Sequence, residues 1–369
     1  MNFVAPCLLG LEGLLANELR YCGITDVRAE NGRVLFSGDE RTMARSNICS
    51  RMAQRVMILL SEFSATDFDA LFEGVKAIDW HRYIGVTDAF PVVGSSVSSR
   101  LSSVPACQKI IKKAVVEQLT QHYGVSWFDE TGVQMRIRFL LLRDRVSIML
   151  DTSGEPLHKR GYRAASNMAP IRETLAAALV ELSRVRSNHT VIDPFCGSGT
   201  ILIESAMKAM HIMPGVSRRF AFEDFPWMNA AVTDKERERA RAGEDRDADF
   251  LAYGYDIDED ALILASENAR IAGVGEKIKF DRRNITDYTD TLSYATVITN
   301  PPYGERMLDI ESARDLYRVM GRVFERKPHH SYTIISPDER FEELFGRPAD
   351  RRRKLYNGML KCQVYMYYR

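Results

Sequence analysis

At 369 residues, with 45% of them hydrophobic, the chain has material for two or three domains with proper cores. Fifty Lys and Arg balance fifty Asp and Glu, so no overall charge marks a nucleic-acid or membrane-surface binder, and such a role must rest on local patches. No segment reaches membrane-spanning length and residues 1–20 do not read as a signal peptide. The six scattered cysteines include no Cys-x-x-Cys pair, which reads as buried thiols of a cytoplasmic protein without a metal site.

In chain order, residues 3–7 read as a strand and 11–21 as a helix with Leu11, Leu14, Leu15 and Leu19 on one face. Residues 27–37 read as two short strands around Asn31-Gly32, a strong hairpin signal. A long helix over residues 40–60 follows, carrying Arg41, Arg45, Arg51 and Arg55, read first as a solvated face and second as an RNA contact. These elements form an α+β unit of about 65 residues.

A second unit runs helix (68–76), strand (89–95), helix (107–123), then two strands (133–142, 146–150) turned by Arg143-Asp144-Arg145. Lys109, Lys112 and Lys113, with Arg136 and Arg138 at alternate strand positions, would make a basic surface. Next comes Asp151-Thr152-Ser153-Gly154-Glu155-Pro156-Leu157-His158, then Lys159, Arg160, Gly161, Tyr162 and Arg163. Three cations around an aromatic suit phosphates and a stacked base.

Thr190-Val191-Ile192-Asp193 reads as a buried strand and the stretch after Thr200 as a packed helix. Between them, Pro194-Phe195-Cys196-Gly197-Ser198-Gly199 lets the backbone approach a ligand at the positive end of that helix. No Gly-Lys-Ser/Thr follows, so this is not a phosphate-binding P-loop. A tight turn without a ligand is the competing reading. Residues 214–249 form an insertion whose mixed-sign helix, Asp234 to Arg239, reads as a solvated face. Its aromatics, Phe220, Phe225 and Trp227, are read as packing before RNA contact.

Residues 251–256 form the next strand, ending in Asp256, placed to take a ribose diol. Ile257 follows, and Asp258 is a candidate N-cap for a helix over 259–272. After a strand at 278–280, Asn284, with Ile285 beside it, could meet an adenine edge or cap its loop. The apolar strand 295–299 then runs into Asn300-Pro301-Pro302-Tyr303. Prolines restrict the residues before them, so an amide is held rigid at the end of a strand, with an aromatic ring three residues on. The Asn300 oxygen and the Pro301 carbonyl can accept the two hydrogens of a planar NH2 group, and Tyr303 can stack on a flat substrate. Residues 354–368 alternate around Asn357-Gly358 as a terminal hairpin completing the sheet, after a short basic run at 351–353.

These four motifs, in this order, resemble the Rossmann-like S-adenosylmethionine-dependent methyltransferases. The resemblance implies that Asp193, Gly197 and Gly199 surround the methionine part of the cofactor, with Pro194, Cys196 and Thr200 also binding the cofactor. It gives Asp256 to the ribose, Asn284 to the adenine and Asn300 to the nitrogen to be methylated, with Ile257, Ile285 and Asn300 also among the cofactor-binding residues. The preceding helix and strand order resembles a THUMP RNA-binding domain. The junction, from His158 to Arg163 and from Ala169 to Ala178, looks like that of the methyltransferase L family, which methylates guanine N2 in bacterial 23S rRNA.

The expected fold is therefore α/β: a Rossmann-like sheet (169–369) behind an N-terminal α+β ferredoxin-like unit (1–65), a THUMP unit (66–155) and a basic linker (156–168). The expected partner is RNA, 23S rRNA or a large-subunit assembly intermediate, met through Lys159, Arg160, Tyr162, Arg163, Arg136 and Arg138. No membrane and no metal take part in this reading. An adenine-N6 or other amino-methyltransferase and a non-catalytic THUMP RNA-binding protein are the alternatives. Neither DNA adenine-N6 nor release-factor glutamine methyltransferases need such an N-terminal half, and a non-catalytic binder would be expected to have lost Asn300 or the glycine loop.

Overall fold

The computed structural model describes residues 1–163, 171–289, 291–304, 310–358 and 360–368. The expected 168/169 boundary and the Ala169-Pro170 pair lie outside the described residues. Among the described residues, two seven-stranded sheets organise the chain.

The first is built from β1 (Asn2–Pro6), α1 (Glu12–Tyr21), β2 (Arg28–Glu30), β3 (Arg33–Ser37), α2 (Glu40–Cys49), β4 (Met57–Ser64), α3 (Phe68–Lys76), β5 (Val92–Val97), α4 (Val104–Tyr123), β6 (Ile137–Leu142) and β7 (Arg145–Asp151). Its order is β2-β3-β1-β4-β7-β6-β5. The two N-terminal units expected from the sequence therefore share one continuous sheet, because β4 pairs with β1 on one side and β7 on the other.

That arrangement corrects the long helix expected over 40–60. Asp39 caps α2 by accepting from the Thr42 N–H, and the helix stops at Cys49, where Ser50 is extended. Met57 onward is strand because its residues are claimed by two neighbours, with Met57 opposite Val4 and Asp151. The Arg143-Asp144 turn holds, with both residues at positive φ, 51° and 64°, as a tight hairpin between twisted strands requires.

The second sheet is built from α5 (Glu173–Leu182), β8 (Thr190–Asp193), α6 (Thr200–Ala209), α7 (Ala230–Ala242), β9 (Leu251–Asp256), α8 (Glu259–Ile271), β10 (Ile278–Arg282), β11 (Ala295–Thr299), α9 (Ile310–Val323), β12 (His330–Ser336), α10 (Phe341–Phe345), β13 (Arg351–Asn357) and β14 (Leu360–Tyr367). The order is β10-β9-β8-β11-β12-β14-β13, with the first five strands parallel and β14 antiparallel to both neighbours. Strand order reverses between β8 and β11, and ligands of open α/β sheets bind at the carboxyl ends of strands beside such a switch point.

The insertion's aromatics resolve as packing: Phe220, Phe222 and Phe225 are buried. The helix α7 docks on the N-terminal sheet's α2, where Glu236 receives Arg45 through two hydrogen bonds, at 2.8 and 2.9 Å. Among the described residues, no helix is long and apolar enough to cross a membrane. All six cysteines are free, five of them buried and Cys22 half-buried.

Candidate active site at the carboxyl ends of β8 and β11

The residues between β8 and α6 make the glycine loop. Gly197 and Gly199 take φ of 49° and 79°, left-handed values that cost an L side chain. A Cβ on Gly199 would also meet the Ala265 Cβ at 3.1 Å, whereas one on Gly197 would meet nothing within 4 Å. The loop is thus packed behind and open in front at the amino end of a helix, where unpaired N–H groups face outward.

Hydrogen bonds stitch this loop to the neighbouring strands. Asp256 accepts the Gly197 N–H at 2.9 Å through one oxygen and the Asp258 N–H at 3.0 Å through the other. A carboxylate offers about four acceptor sites, so capacity remains for a diol. The Cys196 N–H donates to the Tyr255 carbonyl at 3.0 Å. On the other side, Thr299 Oγ1 donates to Asp193 Oδ1 at 2.7 Å, and the Phe195 N–H donates to the same oxygen at 3.1 Å. Burial pushes the Asp193 carboxyl up to about 7 against these two hydrogen bonds, and Asp256 adds to the rise.

Asn300 follows directly, half-buried, with Pro301 buried behind it. The Tyr303 hydroxyl donates to the Asn300 side-chain oxygen, and the Tyr317 hydroxyl donates to the Pro302 carbonyl at 3.3 Å. Tyr303 differs from its expected role as an open stacking platform. It is half-buried, its ring packed on the core and its hydroxyl beside Cys362 and Asn357, where burial raises the hydroxyl's pKa.

The remaining expected cofactor residues divide. Ile257 is exposed, an apolar side chain at the mouth beside Asp256. Ile285 instead belongs to the core with Tyr288 and Tyr317, and so is not a lining residue. Asn284 spends its side-chain oxygen on the Thr286 N–H and hydroxyl, both at 3.0 Å, which is the capping role. Asp258 caps α8 through the Asp260 and Ala261 N–H groups. Pro194 and Cys196 are buried in the loop's turn and Thr200 in the first turn of α6.

Two contributors escaped the sequence reading. Thr299 fixes Asp193, and Asn268, fully buried on α8, donates to the Ser198 carbonyl at 3.1 Å. Thr299's position directly before Asn300 was a usable signal. Asn268 offered only a polar residue within an apolar helix face.

The expected RNA-contacting set needs correction. Arg160 and Tyr162 are 6% and 4% exposed and converge on Glu204 Oε1 at 3.2 and 3.4 Å. Arg163 is drawn inward by Glu173, and Arg138 pairs with fully buried Asp151 at 2.7 Å. Internal carboxylates take these charges, so they do not face a polyanion. Lys159 is exposed and Arg136 half-exposed. Arg51, Arg55 and Arg45 likewise bond to internal partners.

The reversed strand order, the glycine loop, the strand-end carboxylate and the Asn-Pro-Pro-Tyr turn together define a Rossmann-like methyltransferase site. Comparison with known proteins agrees. Models for an RlmL ferredoxin-like domain, a THUMP domain and an RMKL-like methyltransferase domain match residues 2–57, 65–151 and 160–366. The chain belongs to the RMKL-like methyltransferase family, with ferredoxin-like and THUMP domains ahead of the methyltransferase domain.

A Bacillus subtilis (strain 168) protein named "Putative RNA methyltransferase YpsC" is 40% identical over all of this chain and 96% of its own length. The crystal structure of "SMU.472, a putative methyltransferase complexed with SAH" is 40% identical, with a TM-score of 0.94, covering 100% of this chain and 97% of that one. A Listeria monocytogenes str. 4b F2365 structure described as "a predicted N6-adenine-specific DNA methylase" is 41% identical, with a TM-score of 0.94, covering 100% and 96%.

Proposed function

We propose that this chain transfers a methyl group from S-adenosylmethionine to an exocyclic amine of a base in RNA, and that the amine is guanine N2 of 23S rRNA. The observation that carries the reading is a half-buried Asn300 at the end of β11, one residue from the Thr299–Asp193 bond that ties this strand to the glycine-loop strand. The SAH held by a relative 40% identical along its length is the demethylated product of that donor. The THUMP domain and the relative named "Putative RNA methyltransferase YpsC" support RNA as the substrate, and the RlmL-type domain favours ribosomal RNA.

The residues fit such a cofactor: a glycine cradle open in front, a strand-end carboxylate with spare lone pairs, and exposed Ile257 as an apolar wall. Asp193 and the loop N–H groups would hold the methionine end, and Asp256 the ribose. When bound, the cofactor supplies the electrophilic methyl group.

The chain's own contribution is to the nucleophile. A guanine amine is weakly nucleophilic because its lone pair is delocalised into the ring. Accepting its two hydrogens at the Asn300 oxygen and the Pro301 carbonyl favours a pyramidal nitrogen with its lone pair available. Placing that nitrogen beside the cradle makes the encounter effectively intramolecular, and preorganised acceptors need no rearrangement as charge develops. Taking the base out of its stack costs a few kcal/mol in a duplex and less in a loop.

The test is nucleoside mass spectrometry of ribosomal RNA from a strain lacking this protein, with purified protein added back. Loss of one N2-methylguanosine in 23S rRNA, restored by the wild type and not by Asn300→Ala, is the expected result. An unchanged ribosomal pattern with altered N6-methyladenine would overturn it in favour of adenine.

A further inference from the structure

Helix α6 carries the glycine loop at its amino end, and residues from the linker and from the segment between α2 and β4 grip it at three levels. In its first turn, Thr200 Oγ1 accepts from Arg163 Nη2 at 3.1 Å, and Ser198 Oγ lies 3.3 Å from the same hydroxyl. One turn on, Glu204 takes Arg160 and Tyr162. At the carboxyl end, the Met207 and Ile212 carbonyls accept from Arg51 Nη2 at 3.3 and 2.6 Å. Arg163 itself is fixed by Glu173 Oε1 at 2.8 Å and by the Ile171 carbonyl at 2.7 Å.

We propose that Arg163 is a positioning residue for the cofactor loop: holding Thr200, and Ser198 through it, sets the geometry of Gly197–Gly199. The inference rests on reading that loop as the cofactor cradle. Two left-handed glycines give the loop backbone freedom that no side chain of its own restrains. The restraint arrives from outside, from Asp256 at the Gly197 N–H, from Asn268 at the Ser198 carbonyl and from Arg163 at Thr200.

The chemistry asks for arginine. A planar guanidinium reaches the Glu173 carboxylate, the Ile171 carbonyl and the Thr200 hydroxyl together, whereas a lysine ammonium is a point charge that cannot span all three. A buried ion pair is weak evidence for stability by itself, so placement of the loop is the better account of burying charge here. Arg160 and Tyr162 reinforce this, because they brace Glu204 one turn below Thr200 on the same helix.

The experiment uses full-length protein: wild type, Arg163→Lys, Thr200→Val and the double variant. Each is titrated with S-adenosylmethionine and with S-adenosylhomocysteine by calorimetry, with thermal unfolding and steady-state methylation run in parallel. Each single variant should weaken both ligands about tenfold, the size expected for one charged hydrogen bond. The cofactor KM should rise while the RNA KM stays unchanged, and thermal midpoints should stay within a few degrees of wild type.

The double variant should lose no more than either single, because both changes break the same link. Additive losses would mean that Thr200 acts on the ligand without Arg163, and would overturn the proposal. So would wild-type affinity in both single variants. If the wild type itself binds neither ligand, the cradle reading falls and this inference falls with it. Wild-type binding with unaffected variants removes this inference alone. Should Arg163→Lys fail to fold, Thr200→Val, which changes no buried charge, decides the outcome through its cofactor affinity.

Discussion

The Tyr303 hydroxyl donates to the side-chain oxygen of Asn300, closing a ring across the Pro301-Pro302 turn. An amide oxygen has two lone pairs, so one holds the phenol while the other stays available to a substrate amine. Burial of the hydroxyl beside Cys362 and Asn357 makes this contact a fixed strut for the amide. Tyr303→Phe keeps the packing and removes the strut. Turnover in single-turnover methylation should fall about tenfold, the worth of one such hydrogen bond, with RNA affinity unchanged. Wild-type turnover in Tyr303→Phe would mean that the prolines alone orient the amide.

Asn300→Ala removes the acceptor itself. Losing one preorganised polar group typically costs ~2.7–4 kcal/mol, about a hundred- to thousandfold in turnover. Asn300→Asp still accepts two hydrogen bonds and should keep partial activity. Equal, complete loss in both variants would show that the amide's NH2, not its oxygen, is the working group.

The glycine loop, β11 with its Asn-Pro-Pro-Tyr turn, and three hairpin turns were legible because their signals are local: β-branched runs, paired prolines, Asn-Gly and Arg-Asp pairs. What misled were residues whose partners lie far along the chain. Arg160 and Glu204 are 44 positions apart, so three cations around an aromatic looked like an RNA surface. The continuation of α2 into Met57 failed for the same reason, since β4 exists through pairing with β1 and β7. These contacts also bear on truncation. A fragment beginning near residue 166 would leave Glu204 and Glu173 without Arg160 and Arg163, so point variants separate RNA binding from cofactor binding more cleanly.

Asp256→Ala should weaken S-adenosylhomocysteine binding by about ten- to a hundredfold, the range for hydrogen bonds to a charged group. It also frees the Gly197 and Asp258 N–H groups that its carboxylate now holds. Asp256→Asn, which keeps one oxygen, should fall between. Calorimetry measures all three proteins, and an unchanged dissociation constant in Asp256→Ala would remove this residue from the ribose site.

Asp193 gives a pH signature. Burial raises its carboxyl from 3.8 to about 7, so between these values the folded chain holds a proton that the unfolded chain has released. Its contribution to stability therefore falls as pH rises from about 4 to about 7, and levels off above. Asp193→Asn should lose that slope while keeping an oxygen for Thr299. Urea unfolding midpoints from pH 5 to 8 should show the wild type losing ground to the variant with rising pH, and a constant gap between them would contradict the assignment. A cationic cofactor binds the ionised form better, so affinity should rise with pH through about 7.

Lys159 and Arg160 are adjacent in sequence and opposite in environment, which separates RNA contact from folding. Lys159 is 61% exposed and, among the described residues, its ammonium pairs with similarly exposed Glu155, at 2.5 Å. Such surface pairs are worth little, so the ammonium can exchange its carboxylate for a phosphate. Arg160 is buried against Glu204 and also donates to the Arg51 carbonyl at 2.5 Å. Lys159→Ala should leave unfolding unchanged, weaken RNA binding a few-fold, and reduce the slope of log affinity against log salt by about one. Arg160→Ala should strand a buried carboxylate and cost about 3–5 kcal/mol of stability, while the protein that remains folded keeps the wild-type salt slope. Filter binding of a 23S rRNA fragment between 50 and 200 mM salt, roughly the range over which phosphate contacts are lost, measures both. A reduced slope in Arg160→Ala would return that arginine to the RNA surface, and an unchanged slope in Lys159→Ala would remove the linker from it.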